Sequence, residues 1–274
     1  MRNLILGTGL RGNEISRLEE IELYKRCGFD GVFTDWNEEF FSVAKKIKDE
    51  NLLYQSVHAP FVGCNKLWEE GEEGDKMADN LIACLQGCDK VGVRLVIMHV
   101  FIGFTYTTKP NAIGIDRFGK IFQEAEKLGI TVALENTEGE EFLDCLQTEF
   151  KNNKTVGFCI DTGHELCYNH GKDLITKYGD KLVATHLNDN VGRTGESIFW
   201  LDDAHLMPFD GIANWQGIAN RLNAVGYKKE LTFELTRWNK PERNTHDIYA
   251  HLDLENFVKL AYQKAQQFRA LIEG

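Results

Sequence analysis

The chain has 274 residues, 43% hydrophobic and 27% charged, which are the proportions of a soluble globular protein long enough to bury a sizeable core. Its formal net charge is −11 and its sequence pI is near 5.3. Such a balance disfavours nucleic-acid backbones and anionic membrane surfaces as partners unless bound cations or a local basic patch reverse the sign.

In chain order, Asn3–Gly7 is a short apolar run ending in turn chemistry and predicts a first strand. Ser16–Cys27 has helical apolar spacing closed by Gly28, Gly31–Thr34 reads as a second strand, and Glu38–Asn51 as a helix. Leu52–Val57 is a third strand delivering His58-Ala59-Pro60. The acidic stretch Glu69–Asp75 reads as a surface loop before a helix over Lys76–Val91 that Gly92 ends. Arg94–Met98 is a fourth strand with His99 at its end, and Ala112–Leu128 a helix ended by Gly129. Ile130–Leu134 is the fifth strand, followed by Glu135-Asn136 and a short helix over Glu141–Phe150. The run VGFCI (156–160) is the sixth strand, with Asp161 where it stops, Gly163 in a tight turn and a helix over Glu165–Tyr178. Leu182–Thr185 then leads to His186, a loop spans Asn188–Gly211, and Trp215–Val225 is a helix ended by Gly226. Leu231–Phe233 is the eighth strand, delivering Glu234, and Leu254–Ile272 is the closing helix.

Eight strand–helix alternations without a Pro-rich or Gly/Ser-rich linker imply a parallel sheet, and in this length they fit a single-domain (β/α)₈ TIM barrel over 1–274. The seven cysteines (Cys27, Cys64, Cys84, Cys88, Cys145, Cys159, Cys167) form no CxxC pair. Cys84 and Cys88, four apart on a helix, read as core, and so odd and scattered a set argues for a reducing compartment. MRNLILGTGL runs straight into a strand without a signal-peptide pattern, and no apolar run approaches a membrane span. A cytoplasmic location is the expectation.

In a barrel, residues at the C-terminal strand ends converge on one mouth. Here those ends are His58, His99, Glu135, Asp161, His186 and Glu234, with His164, Asp203 and His205 in the loops that follow. Plainer readings exist for each: a turn residue for His58 or His99, a cap for Asp161, a helix-terminal charge for Glu135. Glu234 inside LTFEL resists them, because a carboxylate in an apolar strand needs a partner. The joint pattern is that of a divalent-cation site, and mixed carboxylate and imidazole donors without thiolates suit Zn²⁺, Mn²⁺ or Co²⁺.

The set VHAP, IMHV, ALEN, CIDTGH, THLND, DDAHLMPFDG and FEL resembles the xylose isomerase-like TIM-barrel superfamily, which holds sugar isomerases and epimerases together with endonuclease IV-type nucleases. The resemblance implies that Glu135, Asp161, His186 and Glu234 hold one metal, that Glu135 and Glu234 are also an acid/base pair, and that His164 contacts substrate. In the nuclease branch His58, His99, Asp203 and His205 correspond to the further ligands of a three-zinc centre, giving one to three cations per chain. In Asp203–Gly211 the usual Pro-Gly is interrupted by Phe209-Asp210.

Two functions follow as expectations. The first is a metal-dependent sugar or sugar-phosphate isomerase or epimerase, in which one carboxylate takes a proton from carbon beside a carbonyl, giving an enediolate, and the other returns it. Trp36, Phe61, Phe101 and Trp238 are candidates to shape its pocket, and Arg193 and Arg237 to contact hydroxyls or phosphate, although surface charge explains both equally. The second is a zinc phosphodiesterase acting on abasic DNA, favoured by all nine donor positions and opposed by the net charge and the missing basic loop. A homo-oligomer is compatible with either, and a barrel serving only as a binding protein is a minor third reading.

Overall fold

The computed structural model describes residues 1–195 and 200–274; residues 196–199 of the loop expected over Asn188–Gly211 lie outside them. Eight parallel strands form the barrel: β1 (Leu4–Gly7), β2 (Gly31–Asp35), β3 (Leu53–His58), β4 (Leu95–His99), β5 (Thr131–Glu135), β6 (Val156–Asp161), β7 (Leu182–His186) and β8 (Leu231–Phe233). They run in the order β7-β6-β5-β4-β3-β2-β1-β8. Between β7 and β8 the barrel closes through one parallel bridge, Leu187 opposite Phe233, with Leu187 N donating to Thr232 O at 2.8 Å. The fold class expected from the alternation is the one observed.

Helices α1 (Arg17–Cys27), α2 (Phe40–Asp49), α3 (Glu72–Val91), α4 (Ala112–Leu128), α5 (Glu140–Glu149), α6 (Thr162–Cys167), α7 (Leu174–Lys177), α8 (Trp215–Ala224) and α9 (Leu254–Glu273) surround the strands. Their ends follow local chemistry. Ser16 and Glu19 form a reciprocal capping box on α1, and Gly28 ends that helix at φ 105°, a conformation that costs a side chain energy. No helix among the described residues is long and apolar enough to cross a membrane.

Two expected elements differ. The acidic stretch is not all loop: α3 starts at Glu72, so Glu72, Glu73 and Asp75 sit in its first turn, where the helix dipole favours negative charge. The helix expected over Glu165–Tyr178 is two short ones, α6 and α7. Asn169-His170-Gly171 break it, with His170 at φ 59° and Gly171 at φ 67°. The buried Glu165 carboxylate spans the break, accepting from Leu174 N at 3.1 Å and from Arg221 at 2.7 and 2.9 Å.

Strand periodicity sorts the core into two parts. Val96, Met98, Val132, Leu134, Phe158 and Ile160 belong to the large cluster packed under the helices. The alternate residues Ile97, Ala133, Cys159 and Ala184 form a separate buried layer inside the barrel. Two residues further along the same strands stand His99, Glu135, Asp161 and His186. This inner layer of mostly small side chains is therefore the floor on which the strand-end donors rest. Ala133→Leu overfills that floor; we expect a loss of about 1–3 kcal/mol in urea unfolding, with divalent-cation affinity falling as Glu135 is displaced, and unchanged stability and affinity would contradict the layering.

Candidate metal centre

Six of the eight strands, β2 to β7, end in a titratable side chain at the same rim and Glu234 directly follows β8; register explains how they meet. His99 pairs with Glu135 across β4 and β5, and Asp161 with His186 across β6 and β7. Glu135, Asp161 and His186 are fully buried, and His58 and His164 are 5% exposed. Glu135, Asp161, His186 and Glu234 each present one donor atom within 4.8 Å of the others, so the four residues expected to share one cation do converge. At the centre, His186 Nδ1 lies 2.8 Å from Glu135 Oε1 and 2.9 Å from Glu234 Oε2, while Phe33 stacks on its ring at 4.7 Å.

Two further groups flank this one. His58 Nε2 and His99 Nε2 lie 3.3 and 3.0 Å from Glu135 Oε2. On the other side Asp161, His164 and His205 also bring donors within 4.8 Å, and Asp203 Oδ2 sits 3.0 Å from His205 Nε2 and 3.5 Å from His164 Nε2. The structure thus joins His164, expected as a substrate contact, to the donor cluster. All nine expected donor positions come together.

The donor chemistry fits divalent cations. Nδ1 of His58, His164 and His205 faces the carbonyl oxygens of Ala59, Asn136 and Glu234 at 2.9, 2.9 and 3.1 Å. A carbonyl only accepts, so Nδ1 carries a proton, and Nε2 is the nitrogen turned toward the cluster, the one that could bind a cation once its own proton leaves. Cys159 lies beside Glu135 and His186, but burial pushes its thiol far above the usual range, which disfavours the thiolate. Carboxylate oxygen and imidazole nitrogen remain, the borderline set suited to Zn²⁺, Mn²⁺ or Co²⁺.

Proton sharing stabilises the cluster in the absence of a cation. Burial would raise the Glu135 carboxyl, yet the neighbouring His186 and hydrogen bonds from His186, His58 and His99 hold it well below the carboxylate range. Burial likewise opposes charge on His186, but Glu234 and Glu135 raise it well above a free imidazole. Glu234 is drawn down to about 2 against its burial, chiefly by His186. Asp161 goes the other way, pushed up to about 6 by burial despite His164 and His205. His205 rises to about 9 because Asp203 outweighs its burial. Compensating protons on imidazoles occupy the role that a cation takes when it binds.

Asp161 combines two roles. Its Oδ1 accepts from His164 N at 2.7 Å and caps α6, as the plain capping reading anticipated, but His164 is buried rather than exposed. Its Oδ2 accepts from Asn188 Nδ2 at 2.7 Å, and Asn136 Oδ1 accepts from Asp161 N at 2.7 Å. Gly163 provides room rather than a turn: a Cβ there would lie 2.0 Å from Asn188 Oδ1. The interrupted segment after His205 is anchored, with Phe209 on Trp215 at 5.5 Å and Asp210 bonded to Lys264 at 2.6 Å and to Tyr249.

Above the cluster opens a cavity of about 450 Å³ lined by Phe61, Phe104, Tyr168 and Trp200, the donors His58, His99, His164, Asp203, His205 and Glu234, and Asp35, Glu138 and Lys240. Several expected pocket residues lie elsewhere. Trp36 packs outward on Phe40 and against Gly87 of α3, and Phe101 is buried in a stack with Phe142 at 4.1 Å. Arg237 is drawn to Glu14 at 2.6 Å and lies under Trp238, which covers Gly12. Arg193 is exposed and outside the cavity lining. Of the four aromatics only Phe61 lines the cavity. Asp35, Glu138 and Lys240 were not singled out from the sequence. Asp35 ends β2 as the other donors end their strands, so that signal was readable; Glu138 and Lys240 carry no comparable one.

The chain belongs to the xylose isomerase-like TIM barrel family, whose family model matches residues 21–253. Its fold is similar to that of 3-keto-D-glucoside 4-epimerase from E. coli, with a TM-score of 0.73 over 97% of this chain and 100% of that one at 16% identity, a likeness of fold alone. It is 28% identical over 179 residues to a probable endonuclease 4 of Cenarchaeum symbiosum, covering 61% of this chain and 62% of that one. An uncharacterized protein, y4fM, of Sinorhizobium fredii is 39% identical over 80 residues, 29% of this chain and 23% of that one. The chain thus spans less than two thirds of either relative.

The amide of Asn188 orients Asp161. Asn188→Ala should weaken Mn²⁺ or Co²⁺ binding about 10- to 100-fold in calorimetric titration, and an unchanged affinity would remove Asn188 from the centre.

Proposed function

We propose that the chain is a divalent-metal-dependent sugar isomerase or epimerase. One observation carries this reading: Glu135 from β5 and Glu234 from β8 approach His186 Nδ1 at 2.8 and 2.9 Å, beneath a cavity of about 450 Å³ walled by aromatic rings. That volume suits a small polar molecule. A cation held by Glu135, Asp161, His186 and Glu234 would supply Lewis-acid stabilisation of negative charge on substrate oxygens. Proton movement belongs to the carboxylates. Glu234, 26% exposed at its side chain, opens onto the cavity and meets a ligand first, while Glu135 lies across from it behind His58 and His99. Together they can take a proton from one face of a carbon and return it on another. The epimerase of similar fold adds to this support.

A second reading is a multi-cation phosphodiesterase. It is favoured by Glu135, whose one oxygen faces His58 and His99 and whose other faces His186, the arrangement of a carboxylate shared between two cations. The similarity to a probable endonuclease 4 adds to it. The net charge of −11 and the scarcity of cationic groups at the cavity among the described residues weigh against a DNA substrate.

The test is solvent exchange. With Mn²⁺-loaded protein in D₂O, a panel of ketoses followed by NMR should show deuterium entering at carbon beside the carbonyl, and Glu234→Gln should slow it about 10²- to 10⁴-fold. Absence of exchange across the panel, with cleavage of an abasic-site oligonucleotide by the zinc-loaded chain, would replace this reading by the second.

A further inference from the structure

The cavity contains groups that neither the donor cluster nor the proton transfer uses. Tyr168 stacks over His164 at 4.8 Å, Phe104 meets Tyr168 edge-on at 5.7 Å, and Phe61 leans over His99 at 4.7 Å. These rings offer apolar surface for the C–H faces of a ligand. Outside the donors, the charged groups lining the cavity among the described residues are Asp35, Glu138 and Lys240. Lys240 is already engaged, its Nζ donating to Asp203 Oδ2 at 3.2 Å and to Trp200 O at 2.9 Å. Glu138 is only 9% exposed and sits on the cavity wall; its carboxylate accepts from the backbone amides of Gly103 and of its own residue, and no side chain among the described residues bonds to it.

These charges discriminate between ligands. A phosphate ester placed beside them meets the carboxylates of Asp35 and Glu138 and a lysine already paired with an aspartate. Like charge in a partly dry cavity repels more strongly than in water. A hydroxyl has the opposite relation to the same groups, because it donates to a carboxylate and relieves the desolvation of a buried acceptor. Resting on the isomerase reading above, we propose that the site takes an unphosphorylated, uncharged polyhydroxy ketone, and that Glu138 is a specificity-determining residue that accepts a hydrogen bond from one of its hydroxyls.

The test is binding. Mn²⁺-loaded native protein, Glu138→Gln and Glu138→Asp are titrated calorimetrically with free ketopentoses and ketohexoses and with their phosphate esters. Deuterium exchange is followed in parallel, and melting temperatures confirm that the variants are folded. The expected result is that at least one free ketose binds more than tenfold tighter than its ester. Glu138→Gln should weaken that ketose about tenfold, raise KM more than it lowers kcat, and narrow the preference against the ester. Glu138→Asp, which keeps the charge, should retain part of the preference if Glu138→Gln proves unfolded. Esters binding as tightly as free sugars, no binding of any sugar, or ketose affinity indifferent to both substitutions would overturn the proposal. A free-sugar preference that depends on Glu138, without deuterium exchange, would sustain the binding assignment and sink the isomerase reading instead.

Discussion

The constraint on which the rest of the site depends is the burial of ionised groups. Glu135, Asp161 and His186 have no exposure to solvent, and an isolated charge in such surroundings is too costly to persist. The barrel meets this by matching carboxylates with imidazoles at hydrogen-bond distance, each group of one kind placed to offset the other. Removing any member leaves its partner buried and unpaired, which explains why so much neighbouring sequence serves to hold the donors still. The same arrangement that stabilises the cluster by sharing protons could exchange those protons for a divalent cation.

Orientation comes from the backbone. His58, His164 and His205 each turn Nδ1 to a carbonyl oxygen, so Nε2 of each of these three rings faces inward. Asn136 and Asn188 do the equivalent for Asp161, one holding its backbone and the other its carboxylate. Beneath them, Ile97, Ala133, Cys159 and Ala184 keep the barrel interior narrow. Larger side chains at those positions would raise the donors toward solvent, and the matching of charges would weaken.

Much of this was legible in the chain. The strands and the strand-end donors followed from short apolar runs that stop at a single His, Asp or Glu, a pattern with few other causes once it recurs on six strands. What was not legible depends on long-range packing. Arg237 and Trp36 follow strand ends just as the donors do, but Glu14 draws one away and the face of α3 at Gly87 receives the other. Phe101 stands beside a donor strand yet is captured by Phe142. Glu138 was hidden for the opposite reason: it is one of several acids that follow Glu135, and only the fold turns that one carboxylate toward the cavity. The split of α6 from α7 has a local signal in Gly171, but the Glu165–Arg221 pair that spans the break is a long-range contact.

Cation stoichiometry tests the central claim most directly. Elemental analysis of protein purified without chelator or histidine tag, followed by titration of the stripped chain, counts the sites that the donor cluster forms. The account predicts at least one tightly held Zn²⁺, Mn²⁺ or Co²⁺ per chain, lost in Glu234→Gln, with a lower melting temperature once it is removed. A native chain that carries no divalent cation, and takes up none on titration, would contradict it.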